Sequence, residues 1–177
     1  GLGRVVIFVD QNLLAYPHDY LIGLFKQVNK LGMLWAGEGT IVDALINKEG
    51  EVLIFNDELM QTMAKNCIGF LVGVEDFSGK VRGAAKMNIL QKKFPEIAAA
   101  LREYKMPVTY SLVYGTDEQA FPDVFTTTVK RVLDLGITIL PHIATPRAGT
   151  LWEKRLREED RIPKEFGSAD LNQRYNI

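Results

Sequence analysis

A single cysteine, Cys67, in a chain of 177 residues leaves no internal disulfide to be made. One thiolate is also too few for an iron–sulfur cluster, which takes several. The two histidines, His18 and His142, stand far apart with no companion at ligand spacing, so the sequence offers no histidine metal site. Neither sign of charge is in excess. The 21 Lys and Arg residues face 22 Asp and Glu, a net of −1, which excludes the basic footprint expected of nucleic-acid or anionic-lipid binding. The apolar runs stay under ten residues, whereas a bilayer span needs about 20. Gly37-Glu38-Gly39 lacks the lysine and the further glycines of a phosphate loop. Gly1-Leu2-Gly3-Arg4 leads into an apolar strand without the long apolar core of a secretory leader. A cytoplasmic location, with no nucleic-acid partner and no membrane span, is the expectation.

What remains is ordinary for a globular domain: 47% apolar and 24% charged residues, in a chain long enough for a real core. The pattern alternates strands and helices. Arg4–Asp10, Met33–Ala36, Gly69–Glu75, Pro107–Gly115 and Ile137–Ile143 are short, nearly continuous apolar runs, the signature of strands buried on both faces of a parallel sheet. Between them, helical spacing predicts helices over Asp19–Leu31, Asp57–Asn66, Pro95–Tyr104 and Glu118–Leu135, with a last one over Leu151–Glu159. Gly32 is placed to stop the first, and Asn56 to cap the second with Leu59 at its third position. The segment Thr40–Asn56 reads either as a hairpin or as a short helix and a strand. Strand starts recur about every 30–40 residues, the length of a βα unit. Five such strands fit an open doubly wound sheet or part of a barrel, and composition alone does not choose.

Polar residues at the strand ends carry the functional expectation, because ligands of parallel α/β folds sit at the C-terminal ends of the strands. They are Asp10, Asn12, Glu38, Glu75, Asp76, Tyr114, Asp117 and Thr145. Asp10 and Asn12 also suit loops as turn formers. Glu38 lies between two glycines that permit either close backbone approach or a plain tight turn. Glu75 serves equally as a turn or capping carboxylate. His18, next to Pro17, reads as a surface capping residue, His142 as a satisfied core histidine or, by strand alternation, one pointing into a barrel, and Cys67 as a small buried hydrophobe.

Several stretches together resemble a known family. Val9-Asp10-Gln11-Asn12-Leu13 ends the first strand. Gly32-Met33-Leu34-Trp35-Ala36-Gly37-Glu38 forms the second. Asp57-Glu58-Leu59-Met60, Asn66-Cys67 and Gly73-Val74-Glu75-Asp76 follow, then Lys86-Met87-Asn88 and Tyr114-Gly115-Thr116-Asp117. Last comes Thr145-Pro146-Arg147-Ala148-Gly149-Thr150, leading into a charged helix. In this order they resemble the second to sixth βα units in the barrel of radical S-adenosylmethionine (SAM) proteins of the cobalamin-domain group. Gln11, Glu38, Asp76, Thr116 and Ala148 replace that family's more usual residues.

The resemblance implies a partial TIM-type barrel of about five parallel βα units over residues 1–160, with 161–177 a polar C-terminal tail. It implies a small-molecule substrate and an enzyme that cleaves SAM to a 5′-deoxyadenosyl radical, with cobalamin serving methyl transfer in such enzymes. Asp10, Asn12, Glu38, Glu75, Tyr114 and Thr145 would bind the cofactor. The 4Fe–4S cluster would take its ligands from a Cys-x3-Cys-x2-Cys loop in an upstream segment of the same protein, since no such loop lies in this chain. The alternative is a catalytically inactive α/β binding module without the cluster.

Overall fold

The computed structural model describes residues 4–47, 53–75, 93–114, 122–143 and 146–162, and, for 47, 75, 114, 122–125, 128, 129 and 143, the backbone alone. Five strands make one sheet: β1 (Val5–Ile7), β2 (Leu34–Gly39), β5 (Cys67–Glu75), β6 (Val108–Tyr114) and β7 (Thr138–Ile143). Every neighbouring pair is parallel, in the order β1-β2-β5-β6-β7. The strands therefore follow one another across the sheet as they do along the chain, and the order never reverses. The expected α/β class with a parallel sheet is what forms.

Among the described residues the α-helices are α1 (His18–Lys30), α2 (Asp57–Ala64), α3 (Phe94–Glu103), α4 (Pro122–Leu135) and α5 (Leu151–Glu158). In α1, Leu21, Ile22, Phe25 and Val28 are buried along one stripe. Asn56 caps α2 as expected, its Oδ1 accepting from the Leu59 N–H at 3.1 Å. Four helices end in the same way. A residue just past the helix takes a left-handed conformation at Gly32, Lys105, Gly136 and Asp160. The next N–H then reaches back to a carbonyl five residues earlier: Met33 to Val28, Met106 to Leu101, Ile137 to Val132 and Arg161 to Leu156. This closure satisfies the last orphan carbonyls and turns the chain sharply.

Thr40–Asn56 combines both readings of that segment. Ile41–Ala44 is a single 3-10 turn, and Leu45–Asn47 (β3) then pairs antiparallel with Ile54–Phe55 (β4). Strand β2 is longer than the apolar run that announced it, since Gly37, Glu38 and Gly39 all pair with β5.

The two sheet faces differ. Trp35, Phe70, Val72, Val74, Tyr110 and Leu112 are buried in one cluster with Phe25, Ile97 and Leu101 of the helices. Trp35 packs tilted against Phe25 with ring centroids 4.4 Å apart, and Phe94 meets Tyr110 edge-on at 4.9 Å. By register, the opposite face carries Val5, Ile7, Leu34, Ala36, Glu38, Leu71, Thr109, Ser111 and Leu140. There Ile7 is 69% exposed and Val5 50% exposed. Parallel sheets normally have both faces covered; among the described residues this face is the less buried of the two, with Ala36, Glu38, Leu71, Thr109 and Ser111 half-buried.

Candidate functional site

Because all five strands run the same way, their C-terminal ends lie along one edge of the sheet. Three of the six expected cofactor contacts are described there in full. Asp10, three residues beyond β1, is exposed, and its Oδ1 accepts from the Tyr16 hydroxyl at 3.1 Å. The hydrogen bond to this carboxylate and its charge raise the Tyr16 phenol above its ordinary range. Glu38 is half-buried on the open face of β2, paired in register with Leu71. It sits within a strand and not in a tight turn.

The glycines beside Glu38 serve the protein's own packing. A Cβ on Gly39 would meet Asn12 Oδ1 at 3.1 Å, Phe70 Cζ at 3.2 Å and the Leu14 backbone nitrogen at 3.3 Å. One on Gly37 would meet Leu13 Cδ2 at 3.3 Å. The close backbone approach anticipated for these glycines is thus made by the 3-10 turn Leu13–Ala15, which lies across them.

Asn12 is engaged at both ends of its amide. Its Oδ1 accepts from the Thr40 N–H at 2.8 Å, and its Nδ2 donates to Asp43 Oδ2 at 3.0 Å. Asp43 is only 7% exposed, and its carbonyl oxygen lies 2.7 Å from His18 Nε2. His18 Nδ1 in turn meets Asn56 Nδ2 at 3.1 Å. A belt of polar groups thus joins the segment after β1, the start of α1, the turn after β2 and the cap of α2.

Asp43 and His18 had not been singled out for this site. His18 is corrected from a surface cap to a half-buried link, and Pro17 occupies the cap position of α1. His142 is also corrected. It is exposed and paired with Val113 on the open face, because the helices pack against the other side of β7.

Glu75 and Tyr114 are the last residues of β5 and β6, at the same edge as Gly39. Their backbones pair with Leu112 and Ile143, and their side chains lie outside the description. Thr145 lies outside the described residues, as do Asp76, Thr116 and Asp117.

Cys67 begins β5, at the opposite end of the sheet from the strand C-termini. Burial pushes its thiol up to about 11, only partly offset by the Gly69 backbone N–H. At pH 8 about one molecule in a thousand would carry the thiolate, against roughly a quarter for an ordinary cysteine near pKa 8.5. Alkylation of the native chain by iodoacetamide should therefore run about 100-fold slower than in the urea-unfolded chain. Equal rates would show that the thiol is not shielded. Among the described residues no three His, Cys, Asp or Glu side chains gather to hold a metal ion.

A groove between α1 and α2 is lined by Lys26, Asn29, Lys30, Gln61, Thr62 and Lys65. It lies at the C-terminal ends of these helices, away from the strand C-termini. Among the described residues no helix is long and apolar enough to cross a membrane. No protein-family model and no curated protein matches this sequence.

Proposed function

We propose that this chain is part of the barrel of a radical SAM enzyme that acts on a small-molecule substrate in the cytoplasm. The observation that carries the reading is the five-stranded parallel sheet in unreversed order, one face of which is the less buried among the described residues. A doubly wound sheet reverses its strand order and covers both faces with helices. A barrel adds each strand on the same side and turns the helix-free face inward. The ordered motifs that resemble the cobalamin-domain group favour the second arrangement.

In this reading the open face and the strand C-termini form the ligand site. The carboxylates of Asp10 and Glu38 suit the ammonium and ribose hydroxyls of SAM. Glu75, Tyr114 and Thr145 are assigned to the same ligand by their strand-end positions. Asn12, with both amide atoms engaged inside the protein, acts by holding the β2 end in place. On the open face, Thr109 and Ser111 stand in register with Leu71 and Gly73, and these short side chains leave room for a substrate.

The residues present do not fit a 4Fe–4S cluster. The one thiol is half-buried, held protonated, and at the wrong end of the sheet. The cluster's ligands are assigned to an upstream segment of the same protein, and the use of cobalamin for methyl transfer rests on the resemblance alone. The missing thiols also favour a second reading, an inactive α/β binding module.

Anaerobic reconstitution with iron and sulfide separates the two. This chain should take up no stable cluster, because cluster ligation needs several thiolates. The chain extended upstream through a Cys-x3-Cys-x2-Cys segment should hold one and cleave SAM under reducing conditions. In that extended protein Glu75→Ala should weaken SAM binding by about 10- to 150-fold, the effect of losing a hydrogen bond to a charged group worth about 1.5–3 kcal/mol. An extended protein that binds a cluster without cleaving SAM would leave the inactive module as the better reading. Cluster uptake by the present chain would overturn the assignment of the ligands. Unchanged SAM affinity with a lowered melting temperature would make Glu75 a capping residue.

A further inference from the structure

His18 is one of two histidines in the chain, and its environment specifies its chemical state. The direction of each hydrogen bond follows from a backbone N–H, which can only donate. The Leu59 N–H donates to Asn56 Oδ1 at 3.1 Å. That leaves Asn56 Nδ2 as the atom 3.1 Å from His18 Nδ1. An amide nitrogen donates and does not accept, so Nδ1 meets it through its lone pair. On the other side of the ring, Nε2 is 2.7 Å from the Asp43 carbonyl oxygen, which only accepts. Nε2 therefore carries the hydrogen. Turning the Asn56 amide over would set two donors against each other at Leu59 and remove the cap of α2.

A second chain of bonds begins at the Thr40 N–H. It donates to Asn12 Oδ1 at 2.8 Å, which directs Asn12 Nδ2 to Asp43 Oδ2 at 3.0 Å. Asp43 is held at its carbonyl by His18 and at its carboxylate by Asn12. The Asn56 N–H binds the neighbouring Ala44 carbonyl at 2.9 Å. The turn after β2 is thus fastened to the start of α1 and to the cap of α2 at once.

We propose that His18 is a positioning residue, a neutral imidazole locked as the Nε2–H tautomer. It orders the polar belt at the strand C-termini by tying the Asp43 turn to the start of α2. Both ring nitrogens are committed to the protein, so His18 neither shuttles protons nor ligates a metal. The inference stands whatever ligand the strand ends bind.

Long-range proton–nitrogen NMR correlations of the native protein at neutral pH test the state of the ring. The expected pattern is one pyrrole-type nitrogen at Nε2 and one pyridine-type nitrogen at Nδ1. A ring protonated at Nδ1, or one averaging between tautomers, would overturn the proposal. Amide hydrogen exchange in His18→Phe, which keeps a ring of similar size, tests the positioning. The Leu59 and Thr40 amides should exchange at least about tenfold faster than in the native chain, while Phe70 and Val72 in β5 keep their protection. Equal acceleration of all four amides would make His18 an ordinary contributor to packing and sink the claim. Should His18→Phe not fold, the tautomer measurement decides alone.

Discussion

Trp35→Ala should lower the unfolding free energy by about 3–5 kcal/mol, the usual cost of deleting a fully buried tryptophan. A typical domain has only about 5–15 kcal/mol in total, so the variant should sit close to unfolding. Trp35 is wholly inaccessible and lies where β1, β2, β5 and α1 meet. Its ring packs tilted against Phe25 and stands edge-on to Phe8 at 6.0 Å and to Phe70 at 6.1 Å. Its indole N–H donates to the Met63 carbonyl near the end of α2 at 3.0 Å. Alanine would remove the aromatic contacts and leave that carbonyl without its donor. Phenylalanine would restore much of the volume but not the hydrogen bond, so Trp35→Phe should recover part of the loss and remain about 1–3 kcal/mol short of the native chain. Urea unfolding followed by circular dichroism gives both values. A loss under about 1 kcal/mol for Trp35→Ala would mean that this junction does not organise the core.

The elements around Trp35 were legible in the sequence because each strand is a short apolar run and each helix keeps a clean stripe. The ends were less so. Gly32 announces its helix stop, but Lys105 and Asp160 take the same left-handed conformation, and neither residue type signals it as glycine does. The end of β2 was hidden by its glycines. Gly37 and Gly39 allow either a tight turn or a close backbone approach; they are strand residues kept small for Leu13, Leu14 and Asn12.

The polar belt was harder still. His18 bonds to residues 25 and 38 positions away, and periodicity carries no information at that range. Asp43 lies inside the run Ile41-Val42-Asp43-Ala44-Leu45, where a lone charge looks like an interruption of a strand. It is buried because the 3-10 turn aims it at Asn12. Parallel strand ends did locate the edge of the sheet where Asp10, Asn12 and Glu38 would stand. They could not tell which of those side chains the protein uses for its own structure. His142 failed for a related reason. Alternation along β7 is visible in sequence, but which face the helices cover is decided by the chain's crossovers.

Asn12→Asp exchanges one atom of the belt and should make the stability of the chain depend on pH. The Thr40 N–H can still donate to one carboxylate oxygen at position 12. The other oxygen then replaces Nδ2 at about 3.0 Å from Asp43 Oδ2, where a donor has become an acceptor. Two carboxylates at this distance in a half-buried setting repel strongly, so the pair tends to retain a proton and its apparent pKa rises above that of the unfolded chain. A group whose pKa is raised by folding binds more protons in the native state, and stability then falls as pH rises. The variant should be close to the native chain at about pH 4.5, where the shared proton bridges the two oxygens, and about 2–4 kcal/mol less stable at about pH 7.5, where that proton must be held against solution. Urea unfolding of both chains at the two pH values gives the difference directly, with the native chain cancelling every titration the two have in common. A penalty that is the same at both values would mean that positions 12 and 43 are solvated or can move apart. No penalty at either would remove the Asn12–Asp43 contact from the set of interactions that hold the strand ends in place.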